Sequence, residues 1–243
     1  MKVYFDNAAT TPIDEDVLDA MMPFLREHFG NPSTQYSFGR DTRAAVEDAR
    51  KTIAQLINAQ PGEIIFTSGA TEANNMAIKG AVNYLGVQRI ITSPIEHHCV
   101  EYSVDYCRDE LHVETLLVKV DDKGNVDLED LENLLKASDK KTLVTLMHAN
   151  NEIGTLLDIE KVGTLCKQYN ALFHSDTVQT FAHFPIDVQK MHIDFMAGAA
   201  HKFHGPKGVG FLFMRKQNKV QPFIHGGGQE RGFRAGTENV YGI

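Results

Sequence analysis

From Glu63 onward, short apolar runs alternate with longer stretches whose apolar residues recur at helical spacing. The runs "EIIFTSG", "RIITSP", "VETLLVKV", "TLVTLMHANNE", "ALFHSDTVQT", "DFMAGAA" and "GVGFLFM" read as strands, most of them buried. Between them, "TEANNMAIKGAVNYL", "EHHCVEYSVDYCRDE", "DLEDLENLLKA" and "DIEKVGTLCKQY" carry the helical pattern, with Asp127 placed to cap the third. This alternation predicts an α/β fold: a mostly parallel central sheet with helices on both faces. Residues 1–60 differ, with helical stretches "DEDVLDAMMPFLREHF" and "FGRDTRAAVEDARKTIAQLI" joined by the turn-rich "GNPSTQYS". They are expected to form an N-terminal arm, leaving 61–243 as one large domain. The closing "TENVYGI" starts a helical pattern that stops without a cap, which suggests a fragment lacking a C-terminal region.

Ligands of an open parallel sheet collect at the carboxyl ends of its strands, and the polar residues of interest sit at those predicted ends. Ser68, Gly69, Ala70 and Thr71 join a strand to a helix, where free N–H groups and a hydroxyl can face an anion; an ordinary capped turn has the same appearance. His97 stands at a second junction, where a lone histidine is more often structural than catalytic. Asn150 and Asn151 follow another strand, which simple turn chemistry also explains. Asp176 directly follows an apolar strand, with Gln179 on the next turn, and a carboxylate buried there needs a partner. In "AGAAHKFHGPKG", Lys202 lies between His201 and His204. Singly each feature is weak. Together an anion cradle, an imidazole, a carboxylate and an amine suit pyridoxal 5'-phosphate (PLP): the cradle for its phosphate, Asp176 for its ring nitrogen, Lys202 for a Schiff base. Nucleotide binding loses ground because neither GxGxxG nor GxxxxGK[ST] occurs around Ser68.

Composition narrows the partners. A net charge of -8 without a long basic run argues against nucleic acid and against an anionic membrane surface. No apolar segment is long enough to span a bilayer, and no leader pattern follows Met1. Cys99, Cys107 and Cys166 form no CxxC or metal-ligand grouping, so a reducing, cytoplasmic setting is expected and no metal site.

The blocks "YFDNAATTP", "SGATEANN", "EHH", "MHANNEIG", "HSDTVQT", "AHKFHGPKG" and "GGGQERGFRAGTEN" occur in this order from residue 4 to the end. As a set they resemble the NifS/IscS-type cysteine desulfurases, in the class V aminotransferase group of PLP enzymes. The resemblance implies the large domain of PLP fold type I, with the C-terminal small domain absent. It implies that Lys202 carries PLP and moves protons at the substrate α carbon. His97 is implied to stack on the ring and serve as a candidate acid or base. Asp176 is implied as the pyridinium partner, Gln179 as donor to the phenolic oxygen, and Asn151 as a neighbour of that oxygen and of the substrate carboxylate. Ala70, Thr71 and His201 fall in phosphate-binding positions. Thr237 matches a threonine that reaches the phosphate of a neighbouring subunit, which implies a homodimer. The implied reaction takes sulfur from L-cysteine, leaving alanine and an enzyme persulfide that feeds a sulfur-acceptor or scaffold protein in iron–sulfur cluster or thiolation pathways. A non-catalytic PLP-binding fragment, a related transaminase and a selenocysteine lyase remain alternatives.

Two departures stand out. Ala199 occupies the position, three before the lysine, where the family usually has a serine bonded to the phosphate; such a bond is worth roughly 1.5–3 kcal/mol. Tyr36 replaces a common histidine. The family's persulfide cysteine and substrate-gripping arginine have no counterpart in these residues, and Cys99, Cys107 and Cys166 are expected to be small buried thiols. The chain alone is therefore expected to bind PLP without desulfurating cysteine efficiently.

Overall fold

A computed structural model describes residues 1–243. Seven strands, β1 (Ile64–Thr67), β2 (Arg89–Thr92), β3 (Glu114–Leu117), β4 (Thr142–Thr145), β5 (Leu172–Asp176), β6 (Phe195–Ala199) and β7 (Gly210–Met214), form one sheet ordered β1-β7-β6-β5-β4-β2-β3. Each lies within one of the apolar runs. From β6 to β3 all neighbours are parallel, whereas β7 is antiparallel to both β6 and β1. The short link 200–209 explains the exception, because a parallel return needs a longer crossover.

Helices α1 (Glu15–Arg26), α2 (Ser37–Leu56), α3 (Ala70–Leu85), α4 (His98–Asp109), α5 (Leu128–Lys136) and α6 (Ile159–Gln168) also follow the predicted pattern. The Asp127 carboxylate accepts from the Glu129 and Asp130 N–H groups and caps α5. Gly86 ends α3 in the left-handed region at φ 72°, where glycine carries no Cβ penalty. The helix expected over "TENVYGI" does not form. Residues 238–243 make tight turns instead, with Val240 N–H on the Glu238 carbonyl and Gly242 N–H on that of Asn239. Val240 and Ile243 pack against the core from these turns, and so short a stretch does not offset the cost of helix nucleation.

Side chains alternate across each strand, so the strands inside the β3 edge feed two cores. Ile65, Ile90, Leu143, Phe195 and Leu212 meet α3 and α4 on one face. Ile64, Ile91, Val144, Met196 and Phe211 meet α5, α6 and the inner side of α2 on the other. Val46 and Ala54 of α2 belong to this second core, whereas α1 buries none of its residues.

The edge strand β1 is finished by a buried ion pair. Arg50 holds Glu230 through two bonds of 2.7 and 2.8 Å. Arg50 also donates to the Ile64 carbonyl, and Glu230 accepts from Phe66 N–H, each at 2.7 Å. The pair thus supplies the partners that a further strand would have given β1. Arg50 Nε also donates to Glu47 Oε1 at 3.0 Å, a second and more exposed carboxylate partner. Glu230→Ala, which leaves Arg50 with only Glu47 and Phe66 N–H without its acceptor, is expected to lower unfolding free energy by about 2–3 kcal/mol, measured by urea denaturation.

Candidate active site

The strand order reverses beside β2. The chain steps outward from β2 to β3, returns to β4, and continues to β5 and β6 in the opposite direction. Crossovers in opposite directions place their helices on opposite faces, which opens a crevice at the carboxyl ends of β2 and β4. A cleft of about 600 Å³ lies along the carboxyl edge from there to β1, lined among others by Thr10, Ala70, Thr71, His97, Asn151, Asp176, Gln179, His201 and Lys202. Eight of the nine predicted site residues thus converge; Thr237 does not line the cleft and is exposed.

One wall is the N-terminus of α3. Gly69 precedes it at φ 153° and offers no capping side chain, so the N–H groups of the first turn keep their anion-binding capacity. Gly210 of β7 lies against this turn: a Cβ there would meet Gly69 Cα at 2.8 Å. Ala199, the last residue of β6, also lines this side and brings no hydroxyl.

Asp176, at the end of β5, supplies a buried carboxylate. Oδ1 accepts from Val178 N–H at 3.0 Å and Oδ2 from Asn74 Nδ2 at 2.7 Å. Burial pushes its pKa up, against the pull of those two donors and of the nearby His97 and Lys202 side chains. His97 is the N-cap of α4, its Nδ1 accepting from Cys99 N–H at 3.2 Å. In the neutral ring this leaves the proton on Nε2. Asn151 donates to Glu152 Oε1 at 2.6 Å.

Lys202 ends the 3-10 turn Ala200–Lys202 directly after β6. Its Nζ donates to the Ala8 carbonyl, and to that of Ala9 at 3.0 Å. Burial draws its pKa down, opposed by Asp176 and Asp6. The N-terminal segment closes over this amine. Gln179 Nε2 donates to the Ala8 carbonyl at 3.0 Å, Thr11 N–H to that of His201 at 2.9 Å, and His204 N–H to Thr11 Oγ1 at 2.8 Å. His201 Nδ1 lies 3.2 Å from Thr10 Oγ1. Residues 8–11 are therefore part of the site. The motif "YFDNAATTP" was the available signal, but a segment without periodicity says nothing about where it folds back.

Sequence reasoning also missed Glu96, which clips two loops together. Its Oε1 accepts from Ser93 Oγ at 2.6 Å and from Met147 N–H at 3.0 Å, tying the loop that carries His97 to the one that carries Asn151. Its Oε2 is buried without a partner. The three cysteines are all buried, and burial pushes the thiol of Cys99 up to about 12 and that of Cys107 to about 11.

The aminotransferase class-V family model matches residues 3–243. A cysteine desulfurase IscS of Dictyoglomus turgidum is 50% identical over all of this chain and 61% of its own length. One of Methanosarcina thermophila is 45% identical over 99% of this chain and 59% of its own. Among solved structures, a NifS-like protein superposes with a TM-score of 0.94 at 44% identity, over 100% of this chain and 67% of that one. The structure described as SspA in complex with cysteine gives 0.93 at 38% identity, over 99% and 70%. The chain thus spans about three fifths of the length of the curated relatives it matches.

Burial raises the Glu96 carboxyl to about 8 from its ordinary 4.5. The folded chain then keeps a proton that the unfolded chain has released, so this group's contribution makes stability fall as pH rises between those values. Glu96→Gln mimics the protonated form. It is expected to be more stable than wild type by about 1–3 kcal/mol at the upper end of that window and to match it near the lower end, as read by urea unfolding at the two pH values.

Proposed function

The chain belongs to the aminotransferase class-V family, and from that premise we propose that it is the cofactor-binding part of a PLP-dependent cysteine desulfurase. The observation that carries this reading is the convergence on one cleft of an amine, a buried carboxylate and an uncapped helix N-terminus. The residues present fit PLP. The first turn of α3, with Ala70, Thr71 and His201, would hold its phosphate, and Asp176 would pair with its ring nitrogen. His97 would stack on the ring, while Gln179 and Asn151 would address its phenolic oxygen. Lys202 would hold PLP covalently. When bound, PLP supplies a sink for negative charge at the substrate α carbon.

The chain's own residues do the rest. Partial burial favours the neutral amine of Lys202, the form able to bond a carbonyl carbon or take the proton from the substrate α carbon. The wall formed by residues 8–11 restricts water around that amine. The thiolate that would accept sulfur is not among these cysteines, because all three are buried and Cys99 and Cys107 have strongly raised pKa values. These 243 residues would therefore bind the cofactor but release little sulfur from L-cysteine by themselves. The exposed Thr237 would reach the phosphate held by a second copy, so the working unit is a homodimer that hands sulfur to an acceptor or scaffold protein. Three free thiols fit a reducing cytoplasm. No helix is long and apolar enough to cross a membrane.

Adding PLP to the wild-type chain is expected to give a visible absorbance band, and borohydride reduction should fix the cofactor on the peptide containing Lys202. Lys202→Ala should lose both. Absence of the band from wild type, or its persistence in the variant, would sink the reading. Ala199→Ser, which restores a hydroxyl beside the phosphate position, is expected to tighten PLP binding roughly tenfold or more in an equilibrium titration.

A further inference from the structure

The floor of the cleft rests on a second layer of polar groups, all deeply buried. Thr145, His174 and Asn74 are completely buried behind Asp176. Asn74 Nδ2 lies 2.7 Å from Asp176 Oδ2 and 3.1 Å from Cys99 Sγ. Asn74 Oδ1 lies 3.0 Å from His174 Nε2, and His174 Nδ1 lies 2.7 Å from Thr145 Oγ1.

With Asp176 ionised, only one arrangement of protons satisfies every link. A carboxylate accepts, so the Asn74 amide must turn its NH₂ toward Asp176 and its oxygen toward His174. That oxygen needs a donor, which puts the imidazole proton on Nε2. Nδ1 is then an acceptor and takes the hydroxyl proton of Thr145. Burial of His174 pushes its pKa to about 3, so the ring stays in the neutral form this arrangement requires.

Three elements place the groups. His174 and Asp176 are two apart on β5 and share a face. Thr145 is paired with His174 across the β4–β5 ladder. Asn74 lies four residues after Ala70 on α3, so the helix whose N-terminus forms the anion cradle also delivers the amide to Asp176. We propose that Thr145, His174 and Asn74 form a one-way hydrogen-bond chain that positions Asp176 and stabilises its ionised form, making them positioning residues for the cofactor's ring nitrogen. Its bearing on PLP rests on the function proposed above, whereas its bearing on Asp176 does not.

The charged and titratable groups facing Asp176 are Lys202 after β6, His97 and Cys99 at the start of α4, Glu96 just before it, and His174 on β5 itself. The chain adds to these a donor that carries no charge. It holds the carboxylate in the cleft whether or not a ligand is present.

The test follows the Asp176 carboxyl by ¹³C NMR titration of the chain without cofactor, alongside PLP affinity by absorbance titration. Asn74→Leu is expected to raise the Asp176 midpoint by about one pH unit or more and weaken PLP binding about tenfold. His174→Leu and Thr145→Val should shift both in the same direction by less. His174→Gln restores an N–H toward Asn74 and should stay close to wild type. If Asn74→Leu does not fold, the His174→Leu and His174→Gln pair decides. Loss of stability in the variants with an unchanged Asp176 midpoint would show a packing role only and overturn the proposal, as would equal behaviour of the two His174 variants. If wild type binds no PLP, the proposed function fails, while the NMR titration still judges the chain.

Discussion

A carboxylate buried at the floor of a cleft is the demand around which this structure is arranged. Left alone, a buried Asp176 would cost several kcal/mol or surrender its charge. The fold answers with donors that are themselves rigid. Val178 N–H belongs to the turn that leaves β5, and the Asn74 amide belongs to α3, a helix packed across β5, β6 and β7. The basic side chains of His97 and Lys202 come from the ends of other strands. Neither the charge nor its neighbours could be displaced without disturbing the sheet.

The sheet can hold such a site because its cores make few demands on its carboxyl edge. Strands with apolar side chains on both faces anchor helices above and below, and the loops at their ends are left to carry polar residues. The open edge at β1 is finished by Arg50 and Glu230 rather than by another strand. The N-terminal segment then folds back across the cleft through backbone bonds to His201 and His204, with Lys202 reaching its carbonyls. Most of these contacts involve main-chain atoms.

Much of this was legible in the residues. Every strand could be read as an apolar run, and eight site residues sat at predicted strand ends because a parallel sheet leaves few other places for ligands. What escaped has a physical pattern. Asn74 and His174 look like an ordinary helix residue and an ordinary strand residue, since their meaning lies in a contact across about 100 positions of chain. Glu96 was overshadowed by its neighbour His97, and its role depends on the Met147 amide. The antiparallel course of β7 followed from a loop length rather than from strand composition. The helix expected at "TENVYGI" gives way to tight turns from which Val240 and Ile243 reach the core.

Burial does opposite work on the thiols and the amine around the cleft. Withdrawal from water disfavours the charged form, so it raises a thiol and lowers an amine. Cys99 and Cys107 are thereby kept as inert protonated thiols, although Cys99 Sγ lies only 3.0 Å from the His97 imidazole. Lys202, half-buried in the same neighbourhood, is moved toward the neutral amine. The same withdrawal from water therefore favours a neutral amine and a protonated thiol side by side in this cleft. A thiolate that is to act here must come from a more exposed position, where water or positive charge can lower its pKa.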